Sequence, residues 1–214
     1  MTIKLYDSPV SSACARVRIA LALKGMAFER IAVSIGPQAD QRGAAYLEVN
    51  PQGLVPALIA TDGQLLTQSL AIVEYLEELQ PLPALLPTAP EARARVRALA
   101  LAIAAETHPL LTGRVADRIN ALPGSDAATM PAWRRHWMSV GLDAVEALLA
   151  REASAPFCGG DAPGMADVFL YPQALNAERA GLDLARWPTI AAVMARLRGV
   201  PAFVEHGPAL PAPV

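Results

Sequence analysis

Apolar and polar residues alternate over Ile3–Tyr6, the two-residue period of a short strand, and the spacing widens to a helical one from Ser11 to Lys24. Gly25 closes that helix, since glycine takes the left-handed conformation a helix end favours. Phe28 to Ser34 alternates again and predicts a second strand, and Ala44 to Glu48 predicts a short helix before the breaker Asn50-Pro51-Gln52-Gly53. Ala57–Ala60 and Gln64–Leu66 are two further strand candidates, joined by a segment with the hairpin signal Asp62-Gly63. Ser69 to Leu79 then has helical spacing. This β-α-β, loop, β-β-α order predicts a small mixed sheet with helices on its faces.

From Gln80 to Pro90 the chain carries Pro81, Pro83, Pro87 and Pro90, which end the helical pattern and suit a stiff connection. The expected boundaries are therefore a first domain over 1–80, a linker over 81–90 and an all-helical domain over 91–214. Beyond the linker Glu91–Ala121, Pro131–Ala153, Met165–Ala180 and Ile190–Arg198 have helical spacing, each bounded by breakers. The tail from Gly207 to Val214, with three prolines, is expected to attach loosely.

Composition narrows the function classes. A formal net charge of -2 gives no basic surplus for phosphate attraction, so no nucleic-acid partner is expected. Cys14 and Cys158 stand far apart, without CxxC spacing or clustered histidines, which argues against a disulfide framework or a metal site. The residues are 53% hydrophobic, much of it alanine, and the apolar runs fall short of a bilayer span. The opening residues lack the apolar stretch of a signal peptide, so the expected location is cytoplasmic and away from membranes.

Four features suggest chemistry in the first domain. Ser11-Ser12 opens an apolar helix, where serine caps orphan N–H groups and the helix terminus favours an anion, a thiolate included. Val55-Pro56 enters a strand candidate, and a proline there marks a sheet edge or a special peptide conformation. Gln68-Ser69 opens another helix, where amides and short polar groups hold a carboxylate or simply cap. Arg16-Val17-Arg18 places two cations early in the first helix, against its dipole.

The run Ser11-Ser12-Ala13-Cys14-Ala15-Arg16-Val17-Arg18-Ile19-Ala20-Leu21 resembles the N-terminal motif of zeta-class glutathione transferases, the maleylacetoacetate and maleylpyruvate isomerases. Asn50-Pro51-Gln52-Gly53-Leu54-Val55-Pro56 and Gln68-Ser69-Leu70-Ala71-Ile72-Val73-Glu74-Tyr75-Leu76 resemble the next two blocks, in order. Gly164-Met165-Ala166-Asp167 and Asn176-Ala177-Glu178-Arg179 continue the likeness into the second half.

The resemblance implies a thioredoxin-like α/β domain followed by an all-α domain, glutathione as cofactor, and a homodimer. It implies that Ser11, with Ser12 beside it, serves the glutathione sulfur. Val55, ahead of a cis Pro56, would pair with the tripeptide backbone, and Gln68 and Ser69 would hold its γ-glutamyl carboxylate. The family chemistry is thiolate addition to a cis double bond of an activated diacid, rotation, and elimination of the thiol. His108, Arg114 and Arg179 fall where these isomerases contact substrate. Three positions depart from the pattern: Val10 where an arginine often stands, Ala13 at a cysteine position, and Gly164 where Ser or Thr usually caps. Two alternatives stay open, a transferase, peroxidase or dehalogenase acting on other electrophiles, and a non-catalytic module of the same fold.

Overall fold

The computed structural model describes residues 2–151 and 155–209. Its elements are β1 (Ile3–Asp7), α1 (Ser12–Leu23), β2 (Phe28–Ala32), α2 (Ala44–Val49), β3 (Ala57–Ile59), β4 (Leu65–Thr67) and α3 (Ser69–Leu79), then α4 (Pro90–Leu101), α5 (Gly113–Asn120), α6 (Thr129–Ala150), α7 (Met165–Arg179), α8 (Pro188–Leu197) and α9 (Pro201–His206). The chain forms two compact units, residues up to Leu85 together with those from Ala202, and Leu86–Pro201.

In the first unit the strand order is β2-β1-β3-β4. β1 runs parallel to β2 and antiparallel to β3, with Leu5 opposite Arg30 and Leu58, and β3 pairs antiparallel with β4. This is a thioredoxin-like mixed sheet, as the order of periods predicts. Ile3 and Leu5 on β1 are buried, as are Ile72, Val73 and Leu76 on α3, which packs against α1. Each such apolar side chain contributes about 1.5–3 kcal/mol of transfer free energy.

α1 is buried on nearly every side from Ser12 to Leu21, as a helix apolar all round should be. It ends in a Schellman arrangement. Gly25 has φ +64°, its N–H reaches the Ala22 carbonyl at 3.1 Å, and the Met26 N–H reaches that of Leu21 at 2.9 Å. Lys24, just before, sends its ammonium inward to Glu77 (2.7 Å) and to the carbonyls of Gln80 (2.6 Å) and Pro83 (3.0 Å). The start of the proline-rich segment is thereby tied to the first unit.

Apart from an isolated bridge between Phe157 and Gly160, the regular elements of the second unit are helices among the described residues. α7 is its most buried helix, and its N-terminus is satisfied by Asp167, whose carboxylate accepts from Gly164 N–H (2.9 Å) and Cys158 N–H (3.0 Å). Half of the capping box therefore persists without a side chain at Gly164. Burial raises the Asp167 pKa above the ordinary carboxylate value. On α6, Glu146 accepts from the N–H groups of Thr189 (2.8 Å) and Ile190 (2.9 Å), capping α8.

Three expectations need correction. The stretch Glu91–Ala121 is not one helix: α4 gives way to a π-helical segment, Ala102–Thr107, then a 3-10 turn, His108–Leu111, before α5. Pro109 is the reason, since it has no N–H for the next helical bond and its ring clashes with the preceding turn. The C-terminal residues 202–209 belong with the first unit rather than the helical one. Nor do residues 207–209 attach loosely, because the Ala209 N–H donates to the Pro9 carbonyl at 2.8 Å. The rest of that tail, and the end of the helix expected to reach Ala153, lie outside the described residues.

Candidate active site

Ser11 is the N-cap of α1. Its Oγ accepts from the Cys14 N–H at 3.2 Å, and it is 9% exposed. An oxygen that already accepts from the backbone keeps its own proton for donation. Ser11 therefore offers a hydroxyl donor at the positive end of a twelve-residue helix, two effects that both favour an anion. Ser12 follows as the first helical residue and is buried.

Cys14 lies behind this cap. Its sulfur accepts from the Ser8 N–H at 3.4 Å, and burial, aided by the Asp7 charge, pushes the thiol up to about 12. It is a protonated, packed side chain at neutral pH and not a nucleophile.

The Val55–Pro56 peptide is cis, and neither backbone group of Val55 hydrogen-bonds to the described chain. An open N–H and C=O just ahead of β3 can pair with the backbone of another chain as an added strand does. Gln68 has φ 69°, the one non-glycine residue with positive φ among those described. Such a conformation costs about 1–3 kcal/mol and clusters at ligand clamps. It turns the chain so that α3 starts at Ser69 with no side-chain cap on its first amides, which leaves them available to a carboxylate.

Arg16 adds a charge to that terminus, a role that Arg16-Val17-Arg18 signalled in the sequence only through its awkward place in the dipole. The side chain is 1% exposed, and Nη1 donates to Ser69 Oγ at 3.2 Å. Burial lowers the guanidinium pKa to about 9, so it remains cationic at neutral pH. Arg16 thus sets a buried cation against Ser69 at the start of α3. Ser11, Val55, Gln68 and Ser69 all belong to the first unit.

The second unit carries the remaining expected site residues. His108 opens the 3-10 turn and is half-buried. Arg114 is exposed in the first turn of α5, where the dipole disfavours a cation. Arg179 closes α7, half-buried, with Nη1 donating to Asn176 Oδ1 at 3.3 Å and its pKa lowered by burial. The 3-10 turn packs against α5 and α6, and α7 packs against the π-helical segment. His108 and Arg114 therefore stand on neighbouring elements, with Arg179 at the C-terminal end of a third. No group of three or more His, Cys, Asp or Glu residues is arranged for a metal ion among the described residues, and none of their helices is long and apolar enough to cross a membrane.

Residues 5–84 match the family described as the glutathione S-transferase N-terminal domain. The chain is 44% identical over 207 residues to the maleylacetoacetate isomerase of Pseudomonas aeruginosa, covering 96% of each. Among solved structures it is similar to a maleylpyruvate isomerase described as a bacterial zeta-class glutathione S-transferase, with TM-score 0.91, 41% identity, and 99% and 100% of the two chains covered. The maleylacetoacetate isomerase of Methylobacterium extorquens AM1, solved with bound malonate and glutathione, gives TM-score 0.91 at 38% identity over 99% of this chain and 100% of that one.

Proposed function

This chain belongs to the zeta-class glutathione transferases, the family of the maleylacetoacetate and maleylpyruvate isomerases, and from that membership we propose that it is a glutathione-dependent cis–trans isomerase of maleylacetoacetate or maleylpyruvate, serving aromatic catabolism. The observation that carries this reading is the hydroxyl of Ser11, held as a donor at the N-terminus of α1 by the Cys14 N–H.

Bound glutathione supplies a thiol that adds to the cis double bond as the thiolate and leaves after rotation, so it is not consumed. The chain's own residues hold it and shape its charge. Ser11 donates to the sulfur and, with the α1 dipole, favours the ionised form near neutral pH. Val55 pairs its open N–H and C=O with the tripeptide backbone. Gln68 and Ser69, with Arg16 behind them, receive the γ-glutamyl carboxylate.

A diacid substrate needs cations, and Arg179, Arg114 and His108 are the side chains proposed to meet its carboxylates, arginine offering a planar fork to each. The test is incubation of the purified protein with maleylacetoacetate or maleylpyruvate. The cis acid should disappear only when glutathione is present, and no glutathione-dependent loss of either acid removes the reading.

Val10 favours a second reading. It is 43% exposed just before Ser11, an apolar side chain where the family resemblance implies an arginine. An uncharged approach to the sulfur suits electrophiles without carboxylates, and turnover of haloaromatics or hydroperoxides in place of the cis diacids would establish it. We further propose that the protein acts in the cytoplasm as a homodimer, the commonest symmetric assembly. Light scattering at micromolar concentration should give twice the chain mass, and a stable monomer would contradict this.

A further inference from the structure

All five N–H donors of Arg18 are engaged. Nε donates to the His206 carbonyl (3.1 Å), Nη1 to the Asp7 carboxylate and the Ser8 carbonyl (3.2 Å), and Nη2 to the carbonyls of Pro9 (3.3 Å) and Gly207 (3.1 Å). A guanidinium has five donors in a rigid fork, so this one joins the end of β1, the loop after it, and a segment 189 positions further along the chain. The Ala209 N–H adds its bond to the Pro9 carbonyl at 2.8 Å. The accepting carbonyls of His206 and Gly207 lie at the C-terminal end of α9, where backbone oxygens lack helical partners and a cation is favoured.

The loop so held is the one that delivers Ser11. Within it the Ser11 N–H donates to the Ser8 carbonyl (3.1 Å) and Ser8 N–H to the Cys14 sulfur (3.4 Å), and Pro9 has no N–H to offer. Two of the loop's carbonyls, those of Ser8 and Pro9, are therefore fixed from outside, by Arg18 and Ala209. We infer that His206–Ala209 is a strap, fastened by Arg18, which sets the loop before Ser11 and so the direction in which the Ser11 hydroxyl donates. Arg18 is a positioning residue here. The inference rests on the reading of Ser11 as the donor to the glutathione sulfur. Direction matters because a hydrogen bond weakens steeply as it bends, and small misplacements of reacting groups carry large rate costs.

Ala209→Pro removes one N–H and leaves every side chain of the site in place. In this variant kcat should fall about fivefold, the loss expected of a single hydrogen bond, with the glutathione KM within about twofold of wild type. The pH midpoint for ionisation of bound glutathione, read from thiolate absorbance, should move upward. Binding of S-methylglutathione, which has no thiol proton, should not change. Arg18→Lys keeps a charge beside Asp7 but cannot span three segments, and its effect should be larger and of the same kind; if it fails to fold, Ala209→Pro carries the test alone. A strap that only stabilises the fold would lower the urea midpoint and leave kcat and the ionisation midpoint of the folded protein untouched, which overturns the inference. If wild type itself never ionises bound glutathione, the reading of Ser11 falls and the strap with it. If wild type ionises it and Ala209→Pro does so equally well, the strap alone falls.

Discussion

Ser11→Ala should lose about 100-fold or more in kcat, the range for deleting one donor aimed at a developing or stabilised anion, while still binding glutathione through the first unit. The same change removes the acceptor of the Cys14 N–H, so about 1 kcal/mol of stability should go with it. The two roles separate in Ser11→Asp. Aspartate is a good N-cap, and most of the lost stability should return. Turnover should not return, because a carboxylate beside the sulfur opposes its ionisation. Urea unfolding and steady-state kinetics on the three proteins make the comparison. A Ser11→Ala enzyme that keeps a third of wild-type kcat would show that the hydroxyl is a cap and nothing more.

The largest effect on stability is expected at Gly141, in the middle of α6. A Cβ there would lie 2.1 Å from Thr107 Oγ1, 2.7 Å from its Cγ2 and 3.0 Å from its Cβ. Thr107 cannot easily yield. It is buried, β-branched and therefore stiff, and its hydroxyl donates to the Ala102 carbonyl at 2.9 Å across the π-helical turn. Gly141→Ala must push α6 away from that segment, at a cost of about 3 kcal/mol, the upper part of the range for overpacking.

Thr107→Ala should be mildly destabilising alone, yet should recover much of the loss when combined with Gly141→Ala. That coupling is expected of neighbours that share one space. Because His108 follows Thr107 directly, the displaced segment should also raise the KM for the diacid and leave that for glutathione unchanged. A Gly141→Ala protein with the wild-type urea midpoint would refute the close approach.

The first unit was legible because β1, α1, β3, β4 and α3 are each a short, largely apolar stretch set off by a glycine, a proline or polar residues. The π-helical segment was hidden because Ala102–Thr107 is compatible with a 3.6-residue period and only the backbone shows the widened turn. α9 was missed for its length: the six residues from Pro201 to His206 do not build a periodic signal. At the candidate site Ser11 and Val55-Pro56 were legible from capping and proline chemistry. The positive φ of Gln68 was not, because glutamine carries no preference for that region. Arg16 and Arg18 drew attention as cations set against a helix dipole, but their partners lie 53 positions away at Ser69 and 188 at His206. Residues two apart on a helix do not share a face, which is how one short motif reaches two such separate targets.

The packing of Cys14 bears on how the enzyme survives its own chemistry. Unsaturated acids that accept a sulfur nucleophile will alkylate any cysteine that ionises near them, and that adduct would inactivate the protein for good. With its thiol protonated up to about pH 12 and enclosed behind the N-cap, Cys14 offers such reagents nothing to react with. Alkylation at Cys14 is therefore closed to the reactive compounds that the proposed isomerase would hold beside its first helix.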